Sequence, residues 1–259
     1  MAEITPGMAR AVEEMGYRAI WVGGSPAGHL EDVERLLEAT ERIQVATGIV
    51  NMWREEAATV AASYHRIQDR FPNRLLLGLG IGHPEATREY RKPYDTMVDY
   101  LDRMDSARVP KEHLVLAALG PRALKLAAER TAGAHPYLTT PSHTRFARGV
   151  MGEGSLLAPE HKVVLDSDRF EELARPNVSR YLALVNYRNN LLREGWSEDD
   201  LADGGSDRLV DALVLNGSAS VVAAGIRAHL DAGADHVCVQ VLGDDPTDAY
   251  RTLAGLLLD

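Results

Sequence analysis

The stretch Arg74–His83, RLLLGLGIGH, decides the fold. A short apolar run with no polar face, closed by glycines, reads as a strand buried on both sides, and such strands belong to parallel sheets covered by helices. Six further segments read the same way: Arg18–Ser25 (RAIWVGGS), Ile43–Asn51 (IQVATGIVN), His113–Gly120 (HLVLAALG), Ala134–Thr140 (AHPYLTT), Lys162–Asp166 (KVVLD) and His236–Gly243 (HVCVQVLG). Between them lie amphipathic stretches at Leu30–Thr40, Glu56–Asp69, Arg122–Thr131 and Ser220–Ala232, long enough for the right-handed crossovers that parallel strands require. A helix, glycine, strand unit recurs in EEMGYRAIWVGG, ERTAGAHPYL and LDAGADHVCVQVL, with glycine taking the left-handed helix end. Ahead of the first strand, Thr5 caps a helix that opens with Pro6 and stops at Gly16.

Repeated βα winding over 259 residues predicts one domain spanning 1–259, an α/β protein of the (β/α)8 TIM-barrel class with seven of eight strands visible. From Ser167 to Asp235 no strand is read. That segment carries helical patterns, including Tyr181–Glu194 and Asp207–Leu215, and forms a helical excursion before the last strand.

Composition narrows the function. Lys and Arg number 28 against 38 Asp and Glu, and the net charge of −10 disfavours nucleic acid and anionic membrane as partners. A small-molecule substrate fits instead. The one cysteine, Cys238, falls inside a strand, so no disulfide forms within the chain, which suits the cytoplasm. The amino-terminal MAEITPGMAR lacks the pattern of an export signal, and no window approaches 18 apolar residues. Nine histidines invite a metal, but none shows H-E-x-x-H spacing, and no metal is expected.

In barrels the chemistry sits on loops after the strands. The second visible strand ends Ala46-Thr47-Gly48-Ile49-Val50-Asn51-Met52-Trp53, where glycine lets a flat ligand approach the backbone, or simply ends a strand beside a packing Trp. Gly78, Gly80 and Gly82 alternate without the dinucleotide fingerprint; they allow close packing or leave room for a ligand. His83, at that strand's exit, is a candidate acid or donor because imidazole titrates near neutrality, and a structural role is the alternative. The stretches Ala117–Arg122 and Ala134–His143 pass from strand to helix, where free amides and hydroxyls hold an anion or merely cap. Ser206, after Gly204-Gly205, reads as an ordinary cap rather than part of a phosphate loop.

These stretches, together with ASYHRIQDRFPNRLLLGLGIGHP, LLAPEHKVVLD, NYRNNLLREGW and GGSDRLVDALVLNG, resemble the bacterial luciferase-like monooxygenase superfamily, in its branch of deazaflavin-dependent (coenzyme F420) oxidoreductases. The resemblance runs from about Met15 onward. It implies a barrel that holds the cofactor ring against a bulge in the strand ending TGIVN, with a non-prolyl cis peptide at Gly48-Ile49. It further implies that Asn51 and Gly80 lie at the ring, that Gly120 approaches the cofactor, and that Thr139, Thr140, Ser142 and His143 hold its phosphate. A deazaflavin moves two electrons as hydride and activates oxygen poorly, so reductase or dehydrogenase chemistry is implied, with FMN the competing cofactor.

The chain departs from the family in two respects. Met1–Ile4 is too short for the strand that usually precedes the first helix, and Ser25 stands where many relatives carry an acidic residue or histidine. Ser25 and Trp53 then line the substrate side, while His83 and His135 remain as candidate proton donors. A homodimer is expected, and where the barrel is open its exposed sheet edge favours pairing with another chain. The rival expectation is a degenerate barrel without catalysis that serves as a binding or interaction protein.

Overall fold

The computed structural model describes residues 4–82, 92–165, 167–244 and 246–258. It divides into two compact units, residues 1–118 with 122–135 and residues 119–121 with 136–259.

The first unit holds α1 (Pro6–Glu14), β1 (Ala19–Val22), α2 (Glu31–Ala39), β2 (Gln44–Thr47), β3 (Val50–Asn51), α3 (Ala57–Arg70), β4 (Leu75–Gly80), α4 (Pro93–Ser106), β5 (Leu114–Leu116), most of α5 (Pro121–Arg130) and β6 (Gly133–Ala134). Its strands are parallel and ordered β1-β2-β4-β5-β6, with β3 also on β4. The apolar runs are buried as read: Val45, Leu77, Leu79, Leu114, Val115 and Leu116 are each wholly covered. Thr5 Oγ1 accepts from Met8 N at 3.2 Å and caps α1, while Gly16 past its end takes a positive φ of 94°. Among the described residues no strand precedes α1.

The second unit holds α6 (Pro141–Met151), β7 (Leu156–Leu157), β8 (Glu160–Val164), α7 (Phe170–Leu182), α8 (Val185–Arg193), α9 (Glu198–Leu201), α10 (Asp207–Leu213), β9 (Val214–Asn216), α11 (Ala219–Asp231), β10 (Cys238–Val241) and α12 (Thr247–Leu257). β8 lies between β9 and β10, parallel to both. Successive β8 residues point to opposite faces. Val163 packs with Val222, Ile226 and Leu253 of α11 and α12, and Val164 packs with Ala174, Val178 and Leu213 of α7 and α10. Cys238 is a free, buried thiol. No helix among the described residues is long and apolar enough to cross a membrane.

Three expectations need correction. Ser167–Asp235 does contain a strand: β9 follows α10 without a break, and its first two residues, Val214 and Leu215, continued the helical pattern read through Leu215. The strand expected over Ala134–Thr140 ends at Ala134, because Pro136 has no N–H for a ladder. The helix read over Tyr181–Glu194 is interrupted after Leu182, and α8 restarts at Val185.

Candidate active site

In the first unit the strand ends are shaped by one extra residue. Ala46 pairs with Leu76 and Val50 with Leu79, so Thr47, Gly48 and Ile49 face only Leu77 and Gly78 across the ladder, which makes a β-bulge. The Gly48-Ile49 peptide within it is cis. Thr47 closes the gap with its side chain: Oγ1 accepts from Gly78 N and donates to Gly78 O, both at 2.8 Å. A Cβ on Gly78 would sit 1.8 Å from the Thr47 carbonyl, and one on Gly80 would sit 2.8 Å from Ile49 Cδ1 and 3.0 Å from Ala117 Cβ. At Gly78 and Gly80 the absence of a side chain lets the bulge pack closely against β4.

Gly48 faces an aromatic pair. His135, just past β6 and 3% exposed, stacks on Trp21 of β1 with centroids 4.2 Å apart and planes 20° from parallel. A Cβ on Gly48 would lie 3.4 Å from His135 Nε2, so glycine leaves the bulge backbone clear of the imidazole. Asn51 is buried and its Oδ1 accepts from Trp53 N at 2.9 Å. Its amide also fills the place of a side chain on Gly82, whose φ is +60°. Trp53 is half-buried, as is Ser25, which ends the first strand loop with a φ of 56°. His83 lies outside the described residues.

The second unit carries the polar residues. Thr140 is the N-cap of α6: its hydroxyl accepts from His143 N at 3.3 Å and donates to Glu194 Oε2 at 2.6 Å. Glu194 Oε1 accepts from Asn190 Nδ2 at 2.8 Å, and Asn190 Oδ1 accepts from Arg193 Nη1 at 2.9 Å. Burial pushes the Glu194 carboxyl up to about 7, against the opposing pull of Thr140, Arg193 and Asn190. His143 is fully buried, donates from Nε2 to the Leu119 carbonyl at 2.9 Å, and is pulled down to about 4 chiefly by burial, so it is neutral at pH 7. Thr139 is buried too, and its Oγ1 has no hydrogen-bond partner. A Cβ on Gly120 would lie 3.8 Å from the Arg193 guanidinium.

Beside this N-cap is a cavity of about 470 Å³, lined among others by Thr140, Ser142, His161, Glu194, Trp196 and Arg208. Thr140 and Ser142 open to it, whereas Thr139 and His143 are not among its lining residues. Ser206 caps α10, accepting from Leu209 N at 3.3 Å, as its sequence context suggested.

A sequence model of the luciferase-like monooxygenase family matches residues 4–153. The chain belongs to this family. No curated protein matches it in sequence. Solved structures share the family's α/β barrel fold at low identity. An F420-dependent secondary alcohol dehydrogenase bound to an F420-acetone adduct is 15% identical with a TM-score of 0.76, over 98% of this chain and 94% of that one. The coenzyme F420-dependent tetrahydromethanopterin reductase of Methanopyrus kandleri is 14% identical with a TM-score of 0.71, over 97% and 94%. The FMN complex of the oxygenating constituent of 3,6-diketocamphane monooxygenase from Pseudomonas putida is 15% identical with a TM-score of 0.74, over 98% and 91%. The luciferase-like TIM-barrel class expected from the sequence is therefore the class of this chain.

Sequence reasoning missed Trp21 as the partner of His135, and it missed Glu194, His161 and Arg208 altogether. Trp21 was in view within RAIWVGGS, but stacking across 114 residues has no local signal. For Glu194 the only hint is the Asn190–Glu194 spacing, which puts both side chains on one face of α8.

Proposed function

We propose that this protein is an oxidoreductase that moves a hydride between an F420-type deazaflavin and a small organic substrate, as a cytoplasmic homodimer, with FMN as the alternative cofactor. The observation that carries this reading is the bulge at Thr47–Ile49, bare of side chain at Gly48 and backed by the stacked Trp21 and His135, in a chain of the luciferase-like family. Gly48 passes a simple test of fit: a side chain there would fill the space in front of His135, and none is present.

When bound, the cofactor supplies the two-electron hydride chemistry, while the protein orients it and excludes water. In the first unit, Gly48, Ile49, Asn51 and Gly80 are the residues for its ring, and Ser25 and Trp53 those for the substrate side. In the second unit, Gly120, Thr140 and Ser142 are the residues for its phosphate, with Thr139 and His143 packed behind them. His83 and His135 are the candidates for delivering or accepting the substrate's proton.

Two variants test the assignment. His83→Ala and His135→Ala should each lower turnover about 100-fold where that residue handles the proton, with cofactor affinity held within about twofold. Turnover unchanged in both variants removes the pair from the mechanism.

A further inference from the structure

The loop between β1 and α2 bends through Gly24, Ser25 and Leu30, whose φ values are 81°, 56° and 55°. Glycine enters this left-handed region freely, but serine and leucine stay there only where their surroundings fix them. Leu30 is fixed by the core: it is 1% exposed and forms the N-cap of α2. Ser25 is half-buried and needs the loop held from outside.

A side chain from the other substrate-side loop does this. Glu55 Oε2 accepts from the buried Gly28 N–H at 2.8 Å, three residues beyond Ser25. A hydrogen bond to a carboxylate is charge-assisted and stronger than an ordinary backbone pairing. Only glycine leaves room for it, since a Cβ on Gly28 would lie 2.7 Å from Glu55 Oε2 and 3.1 Å from Val60 Cγ2. Glu55 is itself held in place. The N–H groups of Arg54 and Glu55 both donate to the Asn51 carbonyl at 3.0 Å, Trp53 N donates to Asn51 Oδ1 at 2.9 Å, and Met52 N donates to Gly80 O at 2.8 Å. From α4, the buried Tyr100 hydroxyl donates to the Glu55 carbonyl at 3.2 Å. Trp53 and Glu55 thus share one hydrogen-bonded turn anchored on β4, and that turn grips the loop that carries Ser25. Arg66 of α3 ties the loop separately, donating from Nη2 to the His29 carbonyl at 2.7 Å and to Glu34 of α2 at 3.1 Å, without touching the Trp53 turn.

We infer that Glu55 is a positioning residue for the substrate side of the site: by accepting from Gly28 N it locks the Ser25 loop to the Trp53 turn, so that both residues meet a substrate in a fixed arrangement and keep water from the ring. The role rests on the reading that Ser25 and Trp53 line the substrate side. Such preorganisation matters because orientation is lost when either wall drifts, and because a reacting ring open to water is open to side reactions. Without Glu55 the Gly28 N–H is buried with no acceptor, and the loop has to open for water to satisfy it.

The test compares the intact wild type with Glu55→Ala, Glu55→Gln, Gly28→Ala and Arg66→Gln. Hydrogen exchange read by mass spectrometry should show residues 22–30 and 50–56 exchanging about tenfold faster in Glu55→Ala. Glu55→Gln keeps an acceptor oxygen and should restore most of the protection, whereas Gly28→Ala pushes the carboxylate away from the other side and should reproduce the loss. With coenzyme F420 or FMN bound, Glu55→Ala should hold cofactor affinity within about twofold while iodide quenches the cofactor's fluorescence about threefold more strongly. Arg66→Gln leaves the lock intact and should quench as the wild type does. Unchanged exchange in both Glu55→Ala and Gly28→Ala overturns the lock. Quenching that stays at the wild-type level in Glu55→Ala, or rises equally in Arg66→Gln, overturns the positioning role. If neither cofactor binds, the hydride reading fails and the role beside a ring falls with it, while the exchange data decide separately whether Glu55 couples the two loops.

Discussion

The bulge of the first unit and the cavity of the second make room in opposite ways. At the bulge, side chains are left out: Gly78 and Gly80 admit Thr47 and Ile49 so closely that a single methyl group collides with them. At the cavity, side chains are present and held by hydrogen bonds, with Thr140, Asn190 and Glu194 in one chain and Thr144, His229 and His161 in another. The first arrangement is steric and indifferent to pH. The second depends on which groups carry protons, and it can respond to conditions without moving the backbone.

The largest effect that separates the two regions should come from acid. His143, His161 and His229 are all held neutral by burial, with folded values of about 4, 3 and 4. Because the unfolded chain binds these protons near 6.5 and the folded chain does not, stability is complete above that value and is lost as pH falls toward 4. The loss at pH 5 relative to pH 7.5 is roughly 2 kcal/mol per histidine. Glu194, raised to about 7, acts with the opposite sign: its contribution declines as pH rises from about 4.5 to 7. Chemical denaturation at the two pH values should show the net loss, and amide exchange should accelerate first in α6 and α11; equal acceleration in β2 and β4 would erase the distinction.

Next in size is Gly78→Ala. With its Cβ 1.8 Å from a backbone oxygen, the variant should lose about 3 kcal/mol or more by urea denaturation, with no change in pH dependence. A smaller effect is expected from Thr140→Val, which removes the α6 cap at a cost of about 1 kcal/mol. It also takes a donor from Glu194, so the carboxyl should titrate still higher, as carboxyl infrared or NMR shifts can follow.

Much of the scaffold was legible because burial on both faces leaves an unbroken apolar run, as at Leu75–Gly80, and because helix ends announce themselves at residues such as Thr5 and Gly16. β9 was not legible: its three residues follow α10 directly and offer no change of period. At the site, alternating glycines signalled close approach, but the partner of Gly78 is Thr47, set by strand register rather than by local sequence. The cis peptide at Gly48-Ile49 came from family resemblance and not from spacing. Glu194, His161 and His229 belong to no motif, since what distinguishes them is burial that tertiary packing alone creates.

The central claim is that the chain binds a deazaflavin for hydride transfer. Its most direct test is a fluorescence titration of the purified protein with coenzyme F420 and, separately, with FMN. Saturable binding of F420, tighter than FMN, is the predicted result, whereas binding of neither would contradict the account and direct attention to a barrel that has given up catalysis.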